Sequence, residues 1–243
     1  SDFDVAISCI ASRSGVPDDA WAVDYKANSE ILKAARAGGT GHFILLSAIC
    51  VQKPKLAFQH AKLAFEKELC ESGLTYSIVR PTTFFKSLSG QIERVKAGKP
   101  FLLFGDGQLT RCKPISDADL ARYIVGCIDD PARHNRTLPI GGPGAAITPL
   151  EQGKELFRLT DTTPHYRRIP VAVMSAVIGI LGVAGLVSKR AAAKAEYAKI
   201  GRYYATESML VWDDDAQRYD ESVTPEFGSE TLFNHYAEIV RNT

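Results

Sequence analysis

The sequence predicts an α/β fold of Rossmann type, with a parallel sheet, helices on both faces and a smaller α+β lobe towards the C-terminus. Apolar runs of strand length alternate with segments of helical spacing through the first hundred residues. The second half switches to shorter apolar runs broken by Gly-rich turns. With 243 residues, 45% of them hydrophobic, the chain can bury one sizeable core and a small second lobe.

Phe3 to Ala11 is a nearly continuous apolar run bounded by Ser12-Arg13-Ser14-Gly15 and Pro17, as expected of a parallel strand buried on both faces. Trp21 to Ala37 is helical in spacing. Val23, Ala27, Ile31 and Ala34 form its apolar stripe, and Gly38-Gly39 stop it. His42 to Val51 is a second buried strand. Phe58, Ala61, Phe65 and Leu69 mark the next helix, which ends at Gly73, and Thr75 to Arg80 is a third strand halted by Pro81. Such alternation implies parallel pairing through right-handed crossovers.

Further on, Phe101 to Phe104, the turn Gly105-Asp106-Gly107 and Gln108 to Ile115 read as a hairpin of two short strands. Ser116 is placed to cap a helix running to Ile128, with Asp117 and Asp119 in its first turn. Gly141-Gly142-Pro143-Gly144 is a loop. Thr148-Pro149-Leu150-Glu151 then opens another helix, with Thr as N-cap, Pro at the first position and Glu closing a capping box. Val171 to Val187 carries no charge and is followed by Lys189, Arg190 and Lys194. It fits a core or lid helix first, a helix docked on a membrane surface second and a spanning helix last.

Lys+Arg 29 against Asp+Glu 28 argues against a nucleic-acid partner, which calls for a basic excess. Cys9, Cys50, Cys70, Cys112 and Cys127 contain no CxxC pair, so neither a disulfide framework nor a metal or iron–sulfur site is expected. The chain opens at Ser1 directly into an apolar run, without an initiator Met or a Ser/Arg-rich transit segment. A fragment is therefore the expectation.

Ligands of open parallel sheets lie beyond the carboxyl ends of the strands. That rule brings Ser8-Cys9-Ile10-Ala11-Ser12, Ser47-Ala48-Ile49-Cys50 and Arg80-Pro81-Thr82-Thr83 to one crevice, although small residues also simply end strands. Lys62 sits one turn past Phe58 on an otherwise apolar helical face, so it must snorkel outwards or find a partner inside.

The order of a strand-end Ser followed by a helix with aromatic-x-x-x-Lys, here Ser47, Phe58 and Lys62, resembles the active site of short-chain dehydrogenases/reductases. Phe58 stands where that superfamily has its acid–base Tyr, which points to the atypical, NmrA-like or isoflavone-reductase-like branch. Leu46 to Pro54, Thr75 to Thr82, Phe84 to Leu88, Phe104 to Gly107, Cys112 to Ser116, Leu138 to Gly144, Thr148 to Gly153 and Gly201 to Ala205 are similar to stretches of the divinyl chlorophyllide 8-vinyl reductase family. The similarity runs over nearly the whole chain from Phe3.

The resemblance implies an NADPH-dependent oxidoreductase of chlorophyll synthesis that reduces the 8-vinyl group of divinyl chlorophyllide or protochlorophyllide to ethyl. It implies catalytic roles for Lys62 and Ser47, and cofactor contacts from Ser8, Cys9, Ile10, Ala11, Ser47, Lys62, Pro81, Thr82 and Thr83. Residues 1–100 would then be the remaining part of the NAD(P)-binding domain, and 101–243 a substrate lobe with some elements returning to the main sheet. The family opens with a Gly-rich strand–turn–helix for the pyrophosphate, and that N-terminal βαβ segment is expected to be missing here. Gly141-Gly142-Pro143-Gly144 cannot replace it, because Pro143 has no N–H. Tyr25, His60, Tyr203, Tyr204 and solvent are open as the proton donor. A chloroplast protein with a transit peptide, peripheral membrane contact through 171–187 and no obligate protein partner complete the expectation. The competing reading is a non-catalytic NmrA-like NAD(P)-binding sensor, favoured by the missing Tyr. A sugar-nucleotide epimerase would need that Tyr.

Overall fold

Side chains alternate across a strand, so a sheet built from continuous apolar runs must be covered twice. The computed structural model describes residues 3–242 and obeys that requirement. Strand β1 (Val5–Ser8) leads through α1 (Pro17–Ala20), a π-helical stretch (Trp21–Ala27) and α2 (Asn28–Ala37) to β2 (His42–Leu46). Helix α3 (Ala57–Cys70) and β3 (Thr75–Pro81) follow. Phe43, Leu45 and Ile78 pack with Leu32 of α2 and with Phe65 and Leu69 of α3 on one face.

After the short helices α4 (Phe85–Leu88) and α5 (Ile92–Lys96) comes β4 (Phe101–Phe104), then α6 (Asp117–Val125) and β5 (Arg136–Ile140). Strand β5 completes a parallel sheet of order β1-β2-β3-β5. Ile44, Val79 and Ile140 meet Leu120, Ile124 and Cys127 on its second face. The Ser116 hydroxyl caps α6 by accepting from the Asp119 N–H. Helix α7 (Pro149–Leu159) starts on the expected Thr148–Glu151 capping box. Strand β6 (Tyr166–Ile169), helices α8 (Val171–Gly185) and α9 (Lys189–Thr206), the antiparallel pair β7 (Val211–Asp213) and β8 (Arg218–Asp220), and α10 (Leu232–Asn242) finish the chain. Phe101, Leu103, Ile92, Leu156, Leu232 and Tyr236 form the core of the lobe.

Four expectations are corrected. Among the described residues β1 pairs with β2 alone, so it is an edge strand rather than a doubly buried one, and Ile7 is 44% exposed. In the second element the π-helical stretch shifts the phase of the helix. Its buried face carries Ala20, Asp24, Asn28 and Leu32, not the stripe of Val23, Ala27, Ile31 and Ala34. No hairpin forms around Asp106, because β4 pairs in parallel with β6 while Cys112 makes only isolated bridges to Ile147 and Met209. Finally, α8 has no buried side chain, which removes the core reading of Val171 to Val187. It packs along α9 as a helical hairpin. Its 15 residues reach about 22 Å against a hydrocarbon core of about 30 Å, and no helix among the described residues is long and apolar enough to cross a membrane.

One buried ion pair fastens α3 to the sheet. The Arg80 guanidinium donates to both carboxylate oxygens of Glu66, whose side chain is 6% exposed, and Ser47 Oγ donates to the same carboxylate. Removing one charge leaves the other buried and unmatched. Glu66→Gln is expected to lower stability by about 3 kcal/mol, measured by urea unfolding, whereas a loss below about 1 kcal/mol would show that water reaches Arg80 freely.

Candidate active site

The inward polar face of the α1–α2 segment is where the site begins. Asp24, with a fully buried side chain, forms an ion pair with Lys62 Nζ at 2.9 Å and accepts from the Ser12 backbone N–H at 3.3 Å. The Ser12 hydroxyl also donates to it. One turn on, Asn28 accepts from Ser8 Oγ at 2.6 Å and donates to the Asp24 carbonyl at 3.1 Å. Of the two outcomes open to Lys62, snorkelling outwards or pairing inside, the structure shows the inside pair, and the same cluster ties the end of β1 to α3. Phe58, a turn before Lys62, packs with Ala20, Cys50 and Tyr203.

A cavity of about 570 Å³ opens at the carboxyl ends of β2 and β3. Ala48, Ile49 and Cys50 form one wall and Pro81, Thr82 and Thr83 another. The lobe adds Phe101, Phe104, Leu109, Gln152 and Met209, and α9 adds Gly201 and Tyr204. Of the residues expected at the crevice, Ala48, Ile49, Cys50, Pro81, Thr82 and Thr83 line this cavity. Ser8, Cys9, Ile10, Ala11, Ser47 and Lys62 do not. Ser47, expected at the rim, is instead drawn to Glu66. Ser8 turns inwards to Asn28, while Cys9, Ile10 and Ala11 are exposed beyond the end of β1. Lys62 stands close behind the wall, near enough for its charge to act on the Cys50 thiol.

The cavity's titratable groups have settled states. Burial pushes the Cys50 thiol up, and the Lys62 charge only partly opposes it. Burial likewise pushes Cys112 up to about 12. Burial also acts to raise the Glu207 carboxyl, but hydrogen bonds from Lys55 and Tyr219 outweigh it and leave the group lowered, hence an anion. Gln152 is 5% exposed and lines the cavity. In the sequence Gln152 stood only within the stretch Thr148 to Gly153 that resembles the reductase family, and nothing local marked it as a site residue.

The strand-end residues suit the nicotinamide end of a dinucleotide. Small side chains at Ala48 and Thr82–Thr83 allow close approach to backbone, Pro81 offers a flat apolar edge, and a cation stands behind them at Lys62. The Gly141–Gly144 loop does not suit a phosphate. Gly141 and Gly142 donate their N–H groups to the carbonyls of Pro225 and Lys113, and Gly144 donates to the Glu226 carboxylate. A side chain at Gly142 would lie 1.9 Å from the Pro114 oxygen, so these glycines serve close chain packing. Among the described residues no group of His, Cys, Asp and Glu could hold a metal ion.

A parallel sheet with its cavity beyond the carboxyl strand ends defines a Rossmann-like dinucleotide-binding protein. Residues 1–131 match the NAD(P)H-binding family, and the chain belongs to it. It is 52% identical over 241 residues to the divinyl chlorophyllide a 8-vinyl-reductase, chloroplastic, of Oryza sativa subsp. indica, covering 97% of this chain and 60% of that protein. The protein of that name from Arabidopsis thaliana is 50% identical over 98% of this chain and 58% of its own length. The chain thus spans about three fifths of the length of these relatives. Among solved structures, a nucleoside-diphosphate-sugar epimerase from Staphylococcus aureus shares the fold at a TM-score of 0.62 and 15% identity, over 97% of this chain and 76% of that one. An NADPH-dependent quinone oxidoreductase from Escherichia coli, complexed with NADPH, does so at 0.59 and 17%, over 98% and 75%.

Thiolates, not thiols, react with alkylating agents. At pH 8, iodoacetamide is expected to label the exposed Cys9 and Cys70 in the native protein and the buried Cys50, Cys112 and Cys127 only after unfolding, as read by peptide mass mapping. Native labelling of Cys50 would show that the cavity wall opens.

Proposed function

We propose that the protein reduces the 8-vinyl group of divinyl chlorophyllide a, or its protochlorophyllide counterpart, to ethyl with NADPH, in the chloroplast. The observation that carries this reading is about 50% identity to plant 8-vinyl reductases over 97–98% of the chain. The cavity supports it: about 570 Å³ of mainly apolar space between the strand ends and the lobe fits part of a flat, greasy macrocycle. The Rossmann-like part, 1–100, would hold the cofactor and 101–243 the pigment.

When bound, the reduced nicotinamide supplies a hydride to the vinyl group. The protein orients the reactants, excludes water and stabilises charge. Pro81, Thr82 and Thr83 would flank the nicotinamide face, with Thr82 held by its hydroxyl donating to the Lys113 carbonyl. Lys62, fixed by Asp24, would grip the nicotinamide ribose and add positive potential behind Cys50. Cys9, Ile10 and Ala11, exposed past β1, would receive the cofactor along its length. Ser47 and Ser8 would act through the networks of Glu66 and Asn28 rather than by contact. Gln152 and the apolar lobe residues would seat the pigment.

Phe58 favours a second reading, a non-catalytic NAD(P)-binding sensor, since Phe has no proton to give. Incubating the intact protein with divinyl chlorophyllide a and NADPH separates the two. Monovinyl product is expected, with NADH a poorer donor, and cofactor binding without product would favour the sensor. Lys62→Ala in the intact protein is expected to reduce turnover with NADPH at least about tenfold, the scale of one lost ionic contact. Unchanged kinetics would remove Lys62 from the site.

We also propose that α8 rests on a membrane surface. Val177, Ile180 and Val183 are 42–71% exposed on a helix without charge, Arg190 and Lys194 follow it, and Met174 approaches Gly201 in the cavity wall. A greasy pigment could then enter from the lipid side. Binding to vesicles containing anionic lipid is expected, with at least about tenfold loss for Ile180→Asp. Equal sedimentation of both proteins with and without vesicles would refute the contact.

A further inference from the structure

We propose that the phenol of Tyr204, delivered by α9, is the proton donor of the cavity and takes the place of the acid that Phe58 cannot supply. The inference rests on the reductase reading above and deepens it. Chemistry alone left four side chains open, and geometry separates them. His60 is exposed on α3 and absent from the cavity wall. Tyr25 packs edge-on against Trp21 at 5.7 Å and is also absent from the wall. Tyr203 Oη donates to the carbonyls of Cys50 at 2.8 Å and Lys53 at 3.2 Å, so its proton is committed to backbone. Tyr204 lies in the wall, 46% exposed, and its hydroxyl meets the Cys50 sulfur at 3.8 Å.

The wall's other groups do not compete. Arg111 is held in an ion pair with Glu221, the Glu207 anion has no proton to give, and the Cys112 thiol is enclosed and directed at the Ile147 carbonyl. Position matters as much as elimination. Cys50 lies in the 3-10 turn Ile49–Gln52 that follows β2, so a hydroxyl against Cys50 stands just past the β2 end, in the same cavity as Pro81–Thr83 where a nicotinamide would lie. Tyr203 fixes the same backbone from the same turn of α9, which holds Tyr204 in register with it. Cys50 is thereby a positioning residue for the phenol.

Atoms and electrons balance as follows. Hydride from NADPH forms a C–H bond at the terminal vinyl carbon, oxidising the cofactor to NADP⁺. The π pair of the vinyl bond moves to the ring-adjacent carbon and into the macrocycle. The Tyr204 O–H bond breaks as a second C–H bond forms at that carbon, and the phenolate regains a proton from water at the cavity mouth. Burial of the hydroxyl, then the neighbouring Cys50, raises the phenol above its ordinary value, so it is protonated throughout the neutral range. A carbanion is a stronger base than a phenolate, so the donor needs no lowered pKa.

The test compares wild type, Tyr204→Phe and Cys50→Ala in the intact protein. Divinyl chlorophyllide affinity is read without cofactor by quenching of Trp fluorescence, and turnover is read with NADPH. Tyr204→Phe is expected to bind pigment within about twofold of wild type while kcat falls about a hundredfold, the usual scale of a lost general acid. Cys50→Ala should lose less than about tenfold, consistent with a positioning role. A Tyr204→Phe kcat within threefold of wild type overturns the proposal, and so does pigment affinity falling in step with kcat. If Tyr204→Phe fails to fold by circular dichroism, reduction by wild type in D2O decides. Deuterium in a single configuration at the ring-adjacent carbon supports an enzyme-held donor, and a racemic label overturns it. An inactive wild type would instead refute the reductase reading, and the donor with it.

Discussion

Two buried charges one turn apart on α3 constrain everything near the site. Lys62 and Glu66 both point into protein, and a buried charge persists only when paired and hydrogen-bonded. Lys62 takes Asp24 of the π-helical stretch, and Glu66 takes Arg80 of β3 with Ser47 just past the end of β2. Together the pairs lock α3 to the segment before it and the strand after it. With Ser47 drawn to Glu66, the chain beyond it carries Ala48, Ile49 and Cys50 into the cavity wall. The Ser that resembles a catalytic residue by position is a strut by contact.

The cavity is a product of both halves of the chain. The sheet supplies two strand ends, and the lobe supplies side chains from β4 and α7 together with Gly201, Tyr204 and Ala205 of α9. The fit between halves depends on close backbone approach at Gly141–Gly142, which packs the end of β5 against residues 113–115 and so sets the distance from strand ends to lobe. Glu226 pairs with the nearly enclosed Lys113 beside that seam. Pigment and cofactor would meet where no single element has all the chemistry. That arrangement tolerates Phe58, because a proton can reach the site from α9 rather than α3.

Much of the fold was legible in residue order. Strand–helix alternation, the coverage of both sheet faces and the caps at Ser116 and Thr148 depend on periodicity and on partners within four residues. At Lys62 only the conflict between one charge and an apolar face was legible; that it turns inwards, and to which partner, was not. The stripe of Val23, Ala27, Ile31 and Ala34 misled because a π-helical turn changes the angle between successive residues, and one such turn rotates polar Asp24 and Asn28 inwards. The Gly105–Gly107 turn misled for another reason. A turn residue reports that the chain bends, not which strand is waiting, and β6 lies about sixty residues further on.

By itself, then, the sequence determined the class of fold, the strand–helix alternation of its first half and a crevice at the strand ends, because these follow from signals between covalent near-neighbours. Only the tertiary structure decided that Ser47 serves Glu66, that α8 lies outside the core and that Tyr204 reaches Cys50. Those outcomes depend on contacts such as the one between residues 50 and 204, a separation of 154 positions. Over that distance no local spacing records which side chain will arrive, since the meeting depends on how whole layers pack.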